Sequence, residues 1–142
     1  MPFVGGTSSA TTFTLNLQFG NKFAIALVDS GSDISFINAK FDVKHNFQMS
    51  PTPPLQVAAA NGTNMLSETA CLACPYSIQE HAFSSDFKIL EVHGYDIILG
   101  ADWIYNHSPV GLDLRTRQFS LNHYGTKIIT LQDDSSLPSI YS

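Results

Sequence analysis

The sequence contains few charged residues and especially few basic ones. Only 13% of its 142 residues are charged, and seven Lys and Arg stand against twelve Asp and Glu, which gives a formal net charge of −5. An acidic surface without a basic cluster repels polyanions and anionic lipid headgroups. The composition therefore argues against a nucleic acid or a membrane as a partner.

Long hydrophobic runs are missing as well. No apolar stretch approaches the roughly 18 residues of a membrane-spanning helix, and the N-terminus lacks the charged-then-apolar pattern of a signal peptide. Hydrophobic residues nevertheless make up 44% of the chain, and 142 residues are enough to bury one substantial core. The simplest expectation is one globular domain located in the cytoplasm.

Cysteine is scarce, since Cys71 and Cys74 form a single Cys-x-x-Cys. A zinc site would need about two further ligands at metal-binding spacing. The histidines lack such spacing and are interpreted as surface or packing residues: His45, His81, His93, His107 and His123. The segment "ETACLACPY" reads as extended, and positions three apart in a strand point to opposite faces. We therefore expect structural thiols, no metal and no cofactor.

What the sequence does contain is a series of short strand-like segments separated by turn residues. "TFTLNLQF" (12–19) alternates cleanly, and "KFAIALV" (22–28) is predicted to be buried on both faces. Gly20-Asn21 between them suits a tight hairpin. Further strands or hairpins are predicted from β-branched and apolar patterning at 34–37, 74–92, 95–100, 110–121 and 126–132.

Helices are expected to be short and few. The sequence predicts one within 38–47, capped by Asn38, and another in "ADWIYNH" (101–107). "SPTPP" (50–54) is predicted to be a loop because proline opposes regular structure. The expected fold class is all-β, a small barrel or sandwich with one or two short helices. We expect the domain at 10–132, an N-terminal extension at 1–9, and a C-terminal tail or linker at 133–142.

Asn61-Gly62 lies at the centre of "LQVAAANGTNML" (55–66), between two extended segments. Asn-Gly is a strong hairpin signal because both residues tolerate positive φ. The small residues before it, Ala58 to Ala60, predict a thin arm that packs little, although an ordinary surface turn is the alternative interpretation.

Asp29 stands out because it interrupts an apolar region, "AIALVDSGSDISFIN" (24–38). A buried carboxylate is costly unless something compensates for it. Asp-Ser-Gly taken alone is common in turns, and a polar strand corner is one interpretation. The apolar flanks, together with a second apolar-apolar-Gly at Ile98-Leu99-Gly100 about seventy residues downstream, favour a chemical role.

These two motifs, in this order and spacing, resemble the retropepsin family of aspartic proteases. "ALVDSGSDISFI" is similar to the catalytic loop of that family, and "YDIILGADWIYNHSPVGLDLRTRQFSL" to the corresponding segment of gypsy-type retrotransposon proteases. The resemblance covers roughly residues 10 to 122 and implies a small closed barrel with a flap hairpin. Many retroviral members carry Arg where this chain has Ala101, and that Arg forms an ion pair that braces their dimer. Because Ala101 carries no charge, the resemblance does not imply this ion pair here.

The resemblance implies roles for specific residues. Asp29, Ser30 and Gly31 would be catalytic. The substrate would contact the flap and the two loops, at Asp33, Ala60, Asn61, Gly62, Ile98 and Gly100. For Asp33, a turn or cap carboxylate is an equally good interpretation.

Aspartic protease chemistry requires two carboxylates that share one proton, but this chain has one Asp-Ser-Gly. Asp96, Asp102 and Asp113 are not followed by Ser/Thr-Gly, and Asp33 is too close to Asp29 in sequence to face it across a cleft. A second copy of the chain would supply the missing carboxylate through two-fold symmetry.

The sequence therefore predicts a homodimeric aspartic endopeptidase acting on an extended peptide, its own Gag-Pol polyprotein by resemblance, in the cytoplasm or within virus-like particles. One alternative is a catalytically idle retropepsin-like domain that dimerises or binds peptides. Another is an unrelated β-barrel binding module in which Asp-Ser-Gly is a corner.

Overall fold

The computed structural model describes residues 3–4, 13–41, 48–59, 62–91 and 94–131. The strands are β1 (Phe3–Val4), β2 (Phe13–Phe19), β3 (Lys22–Val28), β4 (Phe36–Asn38), β5 (Ser50–Ala59), β6 (Asn64–Ile78), β7 (His81–Leu90), β8 (Ile97–Leu99), β9 (Gly111–Asp113), β10 (Gln118–His123) and β11 (Thr126–Leu131), and helix α1 spans Ala101–Asn106. Among the described residues, no helix is long and apolar enough to cross a membrane.

A closed barrel of six strands forms the body of the domain. Neighbouring strands follow the order β6, β2, β3, β8, β4 and β7, and β7 returns to pair with β6. Strand β5 extends the sheet beyond β6, and β1 pairs with β5 in parallel register. Strands β9, β10 and β11 form a separate three-stranded sheet. The predicted all-β barrel with a short helix is confirmed.

The core is built from the alternating faces that the sequence pattern indicated. Leu15, Leu17 and Phe19 on β2 are buried, while Asn16 between them is exposed. The three-stranded sheet contributes Phe119 and Leu121 to the same core, and the Phe13 and Phe119 rings lie 4.4 Å apart. The small sheet is therefore packed on the barrel and belongs to one hydrophobic unit.

Two expectations about strands were wrong. β3 is not buried on both faces along its length, because Phe23 and Ile25 are 66% and 51% exposed. "SPTPP" is not a loop but the start of β5. The β5–β6 register shifts between Pro51 and Leu55, and such an irregularity tolerates residues that cannot donate to the ladder.

The two cysteines also depart from the simple strand rule. Both Cys71 and Cys74 are buried thiols of β6, although positions three apart in a regular strand face opposite sides. The β6–β7 register shifts between them, and Ala73 has a φ of 48°. The bulge changes which face the following residues take, so both thiols enter the core.

The remaining predictions divide between described and undescribed residues. Residues 39–41 are helical, and Asn38 Oδ1 accepts the Lys40 N–H at 3.1 Å as the predicted cap would, whereas 42–47 lie outside the described residues. The predicted tail at 133–142 also lies outside them. Within the predicted extension at 1–9, β1 joins the sheet at β5.

Candidate active site

Asp29 lies at the point where the two sequence motifs meet. β3 pairs in parallel with β8, with Val28 opposite Leu99, and the Asp29 N–H donates to the Leu99 carbonyl at 2.9 Å. The two motifs, about seventy residues apart in the chain, are thus adjacent strands of one sheet. Only 2% of Asp29 is exposed, so its carboxylate is held in a site with little water.

The two carboxylate oxygens of Asp29 have different surroundings. Oδ1 accepts the Gly31 N–H at 2.9 Å, whereas Oδ2 is buried and has no hydrogen-bond partner among the described residues. Native proteins rarely leave a buried polar atom unsatisfied, and the exceptions concentrate where a ligand or reactant completes the site. The unpartnered Oδ2 therefore makes Asp29 a candidate functional carboxylate.

Gly31 and Ser30 complete the tip of this loop, and both are exposed. Gly31 does not have a positive φ, so a left-handed turn is not the reason for glycine here. A Cβ at this position would lie 3.1 Å from Asp29 Oδ1, which is tighter than ordinary contact. Glycine lets the carboxylate bend back over the loop backbone, and a side chain here would push Asp29 Oδ1 by a few tenths of an ångström.

Gly100 packs directly against the backbone of the loop that follows Asp29. A Cβ on Gly100 would lie 2.6 Å from the carbonyl oxygens of both Ser32 and Ile34. The next residue, Ala101, donates its N–H to Ser32 O at 2.7 Å. Gly100 is buried. Because it has no side chain, two backbone segments can approach each other closely here.

Ser35 and Asp102 form a brace that sequence reasoning missed. Ser35 Oγ donates to Asp102 Oδ1 at 2.6 Å and accepts the Gly100 N–H at 2.9 Å, while the Ser35 N–H donates to Asp102 Oδ2 at 3.2 Å. These bonds tie the Asp29 loop to the first turn of α1. A Ser six residues after Asp29 and an Asp two after Gly100 were visible in the sequence, but nothing local indicated that they meet.

Asp96 has a structural role that the sequence did not reveal either. Its Oδ2 accepts the Ile25 N–H at 2.9 Å, and its own N–H donates to Ile25 O at 3.1 Å. The Asp96 carbonyl also accepts the Asn38 N–H at 2.8 Å. Asp96 thereby links β3 to β4 just before β8 begins. None of these bonds involves the Asp29 carboxylate.

Asp33 is exposed, and its carboxylate makes no hydrogen bond to another described residue. Its carbonyl instead accepts the Asp102 N–H at 3.3 Å. Asp33 therefore has a fixed backbone and an available carboxylate, so no bond within the described residues supports the alternative interpretation as a turn or cap carboxylate.

A second apolar cluster lies beside the Asp29 loop. It joins Leu27, Phe36 and Ile98 from the barrel to Val57 of the β5–β6 hairpin, with Leu90 completing it. The partly buried residues packed against the cluster are Ile34, Leu55, Met65 and Tyr95. Ile98 is thus buried in a cluster shared by the Asp29 strand and the hairpin predicted to be the flap.

The β5–β6 hairpin itself is present, since Ala58 pairs with Asn64 and Gly62 has a φ of 85°. The predicted flap residues Ala60 and Asn61 lie outside the described residues. The hairpin is therefore established from its two strands and Gly62.

Trp103 anchors α1 to the barrel. The side chain is buried, and its Nε1–H donates to the Tyr76 hydroxyl at 2.9 Å. The Tyr76 hydroxyl also shares a 2.7 Å hydrogen bond with Ser85, and burial raises the pKa of Tyr76 to about 12. A neutral tyrosine thus connects the helix to β7 under all physiological conditions.

His107 and His123 pack against aromatic rings, and His81 is exposed. The His123 ring stacks on Phe83 with 3.8 Å between centroids, and His107 is buried beside Trp103 at 4.5 Å. Burial lowers the pKa of His107. No group of three or more metal-ligating side chains occurs among the described residues, and His45 and His93 lie outside them.

Comparison with known proteins agrees with this geometry. A family model described as retroviral aspartyl protease matches residues 7–126. The fold is similar to the crystal structure of the retroviral protease-like domain of Ddi1 from Leishmania major, with a TM-score of 0.60 and 15% sequence identity over 90% of this chain and 99% of that one. The chain belongs to the retroviral aspartyl protease family and has its retropepsin-like fold.

Proposed function

We propose that the protein is an aspartic endopeptidase that acts as a homodimer, with one catalytic Asp29 from each copy. The observation that carries this proposal is the buried Asp29 Oδ2 without a partner. Asp96 and Asp102 do not supply one, because they are bonded to Ile25 and Ser35. A symmetry-related Asp29 and a water would complete the site.

Two carboxylates that face each other about 3 Å apart share one proton. Charges about 3 Å apart at an effective dielectric of about 20 repel by about 5 kcal/mol, or some four pKa units, so the pair titrates as a unit. The ionised carboxylate removes a proton from the water as its oxygen attacks the peptide carbonyl carbon. The protonated carboxyl donates a hydrogen bond to the carbonyl oxygen, and the amide nitrogen receives a proton as the C–N bond breaks.

The surroundings of Asp29 support a peptide substrate in extended conformation. The β5–β6 hairpin packs on the same apolar cluster as the Asp29 strand, and a hairpin in that place can pair with an extended chain and exclude water. Asp33 offers an available carboxylate to the substrate backbone. Gly31 and Ser30 are exposed at the tip of the loop.

The biological setting is a proposal from the sequence. The resemblance to gypsy-type proteases favours processing of the protein's own Gag-Pol polyprotein, in the cytoplasm or in virus-like particles. A retroviral protease-like domain also occurs in Ddi1, so the fold alone does not specify a polyprotein substrate.

The proposal is tested by sedimentation combined with digestion of a peptide library from about pH 4 to about pH 7. We expect a dimer and pepstatin-sensitive cleavage for the wild type, and a dimer without cleavage for Asp29→Asn. Asp113→Asn is the matched control, because Asp113 is an exposed carboxylate of the β9–β10 turn. It should cleave like the wild type.

Mixing the two proteins separates a shared site from independent ones. If both aspartates are required, equal amounts of wild type and Asp29→Asn that exchange freely give about one quarter of the wild-type activity rather than one half. A monomer that cleaves unaided, or cleavage that survives Asp29→Asn, would overturn the proposal. A wild-type dimer that never cleaves would support the catalytically idle alternative.

A further inference from the structure

A cavity of about 690 Å³ opens on the side of the domain that carries α1. It is lined by five consecutive residues of β7, from Ala82 to Asp86, by residues of α1 including Asp102 and Trp103, and by His123 and Tyr124 of the β10–β11 hairpin. Asp29 is not among its lining residues. The cavity does not include the Asp29 carboxylate, although Ser35 and Asp102, which brace the Asp29 loop, also line it.

One wall of this cavity is an open strand edge. β4 pairs with β7 only from Lys88 to Leu90, so residues 81–86 have β6 on one side and no described strand on the other. The Ala82 carbonyl points to the open side, because it bonds to His123 Nε2 at 2.7 Å. Backbone groups alternate along a strand, so those of Ser84 and Asp86 point to the open side too.

The register supports this assignment independently. Ser84 lies opposite Pro75 of β6, and proline has no N–H to donate. The pair is therefore one whose backbone groups do not bond across the ladder. No described backbone group outside the regular strand pairs bonds to Ser84, and Ser84 is exposed. An unpaired edge of this kind is a template for another extended chain.

The charge of the cavity is negative. Asp86 and Asp102 line it, and no Lys or Arg does. Asp86 Oδ1 accepts the Ala73 N–H at 2.7 Å, which leaves its Oδ2 available among the described residues. Trp103 and the 96% exposed Tyr124 add aromatic rings. Carboxylates and aromatic rings that line one cavity suit a guanidinium or ammonium group.

We propose that this cavity is a second peptide site, in which an extended segment of a partner polypeptide pairs with the β7 edge at Ser84 and places a basic side chain near Asp86 and Asp102. The chain's own C-terminal residues do not fit this role, because 132–142 contain two aspartates and no Lys or Arg. A β-prone segment with a basic residue matches the acidic lining, and we assign the site to such a segment of a different chain. The site does not depend on the proposed peptidase activity.

The test uses the Asp29→Asn protein, so that no probe is cleaved. The probe is the blocked peptide acetyl-Val-Thr-Arg-Val-Thr-amide, and its control replaces Arg with citrulline, which has nearly the same shape and no charge. Trp103 is the sole tryptophan of the chain and lines the cavity, so its fluorescence reports binding at this place. Calorimetry gives the stoichiometry.

We expect saturable binding of one Arg peptide per chain, with at least about tenfold weaker binding of the citrulline peptide. Adding Asp86→Asn, which keeps the acceptor for Ala73, should weaken the Arg peptide by a similar factor, and Asp113→Asn should not. Ser84→Pro should also weaken it, because it removes only an outward N–H that an edge strand can spare.

Equal binding of the Arg and citrulline peptides would overturn the assignment of a basic side chain. Unchanged binding in Ser84→Pro, with the variant's folding confirmed by circular dichroism, would overturn the strand-edge pairing. Absence of any fluorescence or heat change up to about 1 mM peptide would overturn the site as a whole. A signal that depends on protein concentration and not on peptide would assign the edge to self-association instead.

Discussion

Ser35 Oγ donates a 2.6 Å hydrogen bond to Asp102 Oδ1, and this bond joins the loop after Asp29 to the helix after Gly100. The same hydroxyl accepts the Gly100 N–H, so the Ser35 side chain connects the two motifs by hydrogen bonds. Among the described residues, the Asp29 N–H donates to Leu99 O, the Asp29 carbonyl accepts the Ser32 N–H, and Asp29 Oδ1 accepts the Gly31 N–H. The position of the candidate catalytic carboxylate is therefore set in part by residues that do not touch it.

Ser35→Ala removes this brace, leaves the Gly100 N–H without its partner, and leaves Asp102 Oδ1 with only the Trp103 N–H. We expect the free energy of unfolding to fall by about 1–3 kcal/mol, measured by urea denaturation. In peptide cleavage, kcat should fall more than KM rises, because the displaced group is Asp29 rather than a binding residue. Ser35→Thr keeps the hydroxyl and should restore both quantities; equal losses in Ser35→Thr and Ser35→Ala would contradict the role of the hydroxyl.

Gly100→Ala and Gly31→Ala should fail in different ways. At Gly100 the new Cβ would meet two backbone carbonyls at 2.6 Å, which cannot move without displacing the loop. We expect the free energy of unfolding of Gly100→Ala to fall by about 3 kcal/mol or more, or the variant not to fold. At Gly31 the Cβ would meet only Asp29 Oδ1 at 3.1 Å, so the fold should survive while cleavage is lost. Thermal melts and activity assays of both variants check this; a stable Gly100→Ala protein would contradict it.

Tyr76→Phe should loosen the contact between α1 and β7. The hydroxyl accepts from Trp103 Nε1 and shares a bond with Ser85, so its removal leaves a buried indole N–H unpartnered. We expect about 1–2 kcal/mol of destabilisation and a shift in the Trp103 emission maximum. Because the pKa of Tyr76 is raised to about 12, the wild-type emission should not change between neutral pH and about pH 9. An unshifted emission in Tyr76→Phe would show that the hydrogen bond is absent in solution.

His107 should make stability depend on pH in one direction. Burial lowers its pKa in the folded protein below the value of the unfolded chain. The unfolded state therefore binds more protons between those two values, and stability falls as pH drops below about 6.5 through that window. His107→Asn keeps a donor for Asn122 O and cannot titrate. Urea unfolding at a series of pH values should show a shallower acid loss in the variant; parallel curves for both proteins would refute the prediction.

Local patterns in the sequence predicted much of the fold. The hairpin at Gly20-Asn21, the strands within 110–121, helix α1 and the final strand were predictable because turn residues and apolar alternation act over a few neighbours. The same reasoning failed at "SPTPP" and at Cys71 and Cys74. In both places a register shift interrupts the regular pairing of the strands, so the patterns expected for a regular strand do not hold. Such a shift depends on the partner strand, which lies elsewhere in the sequence.

The sequence by itself determined the family, the strand-forming segments and the choice of Asp29 as the candidate catalytic carboxylate, because these depend on motif residues and short-range patterning. Only the tertiary structure decided that Asp96 and Asp102 make structural bonds, that Gly100 is needed for close approach of two backbone segments, and that one edge of β7 has no strand partner among the described residues. Each of these depends on contacts between segments far apart in the chain, such as the 67 residues between Ser35 and Asp102. No local preference specifies which distant partner a side chain will meet.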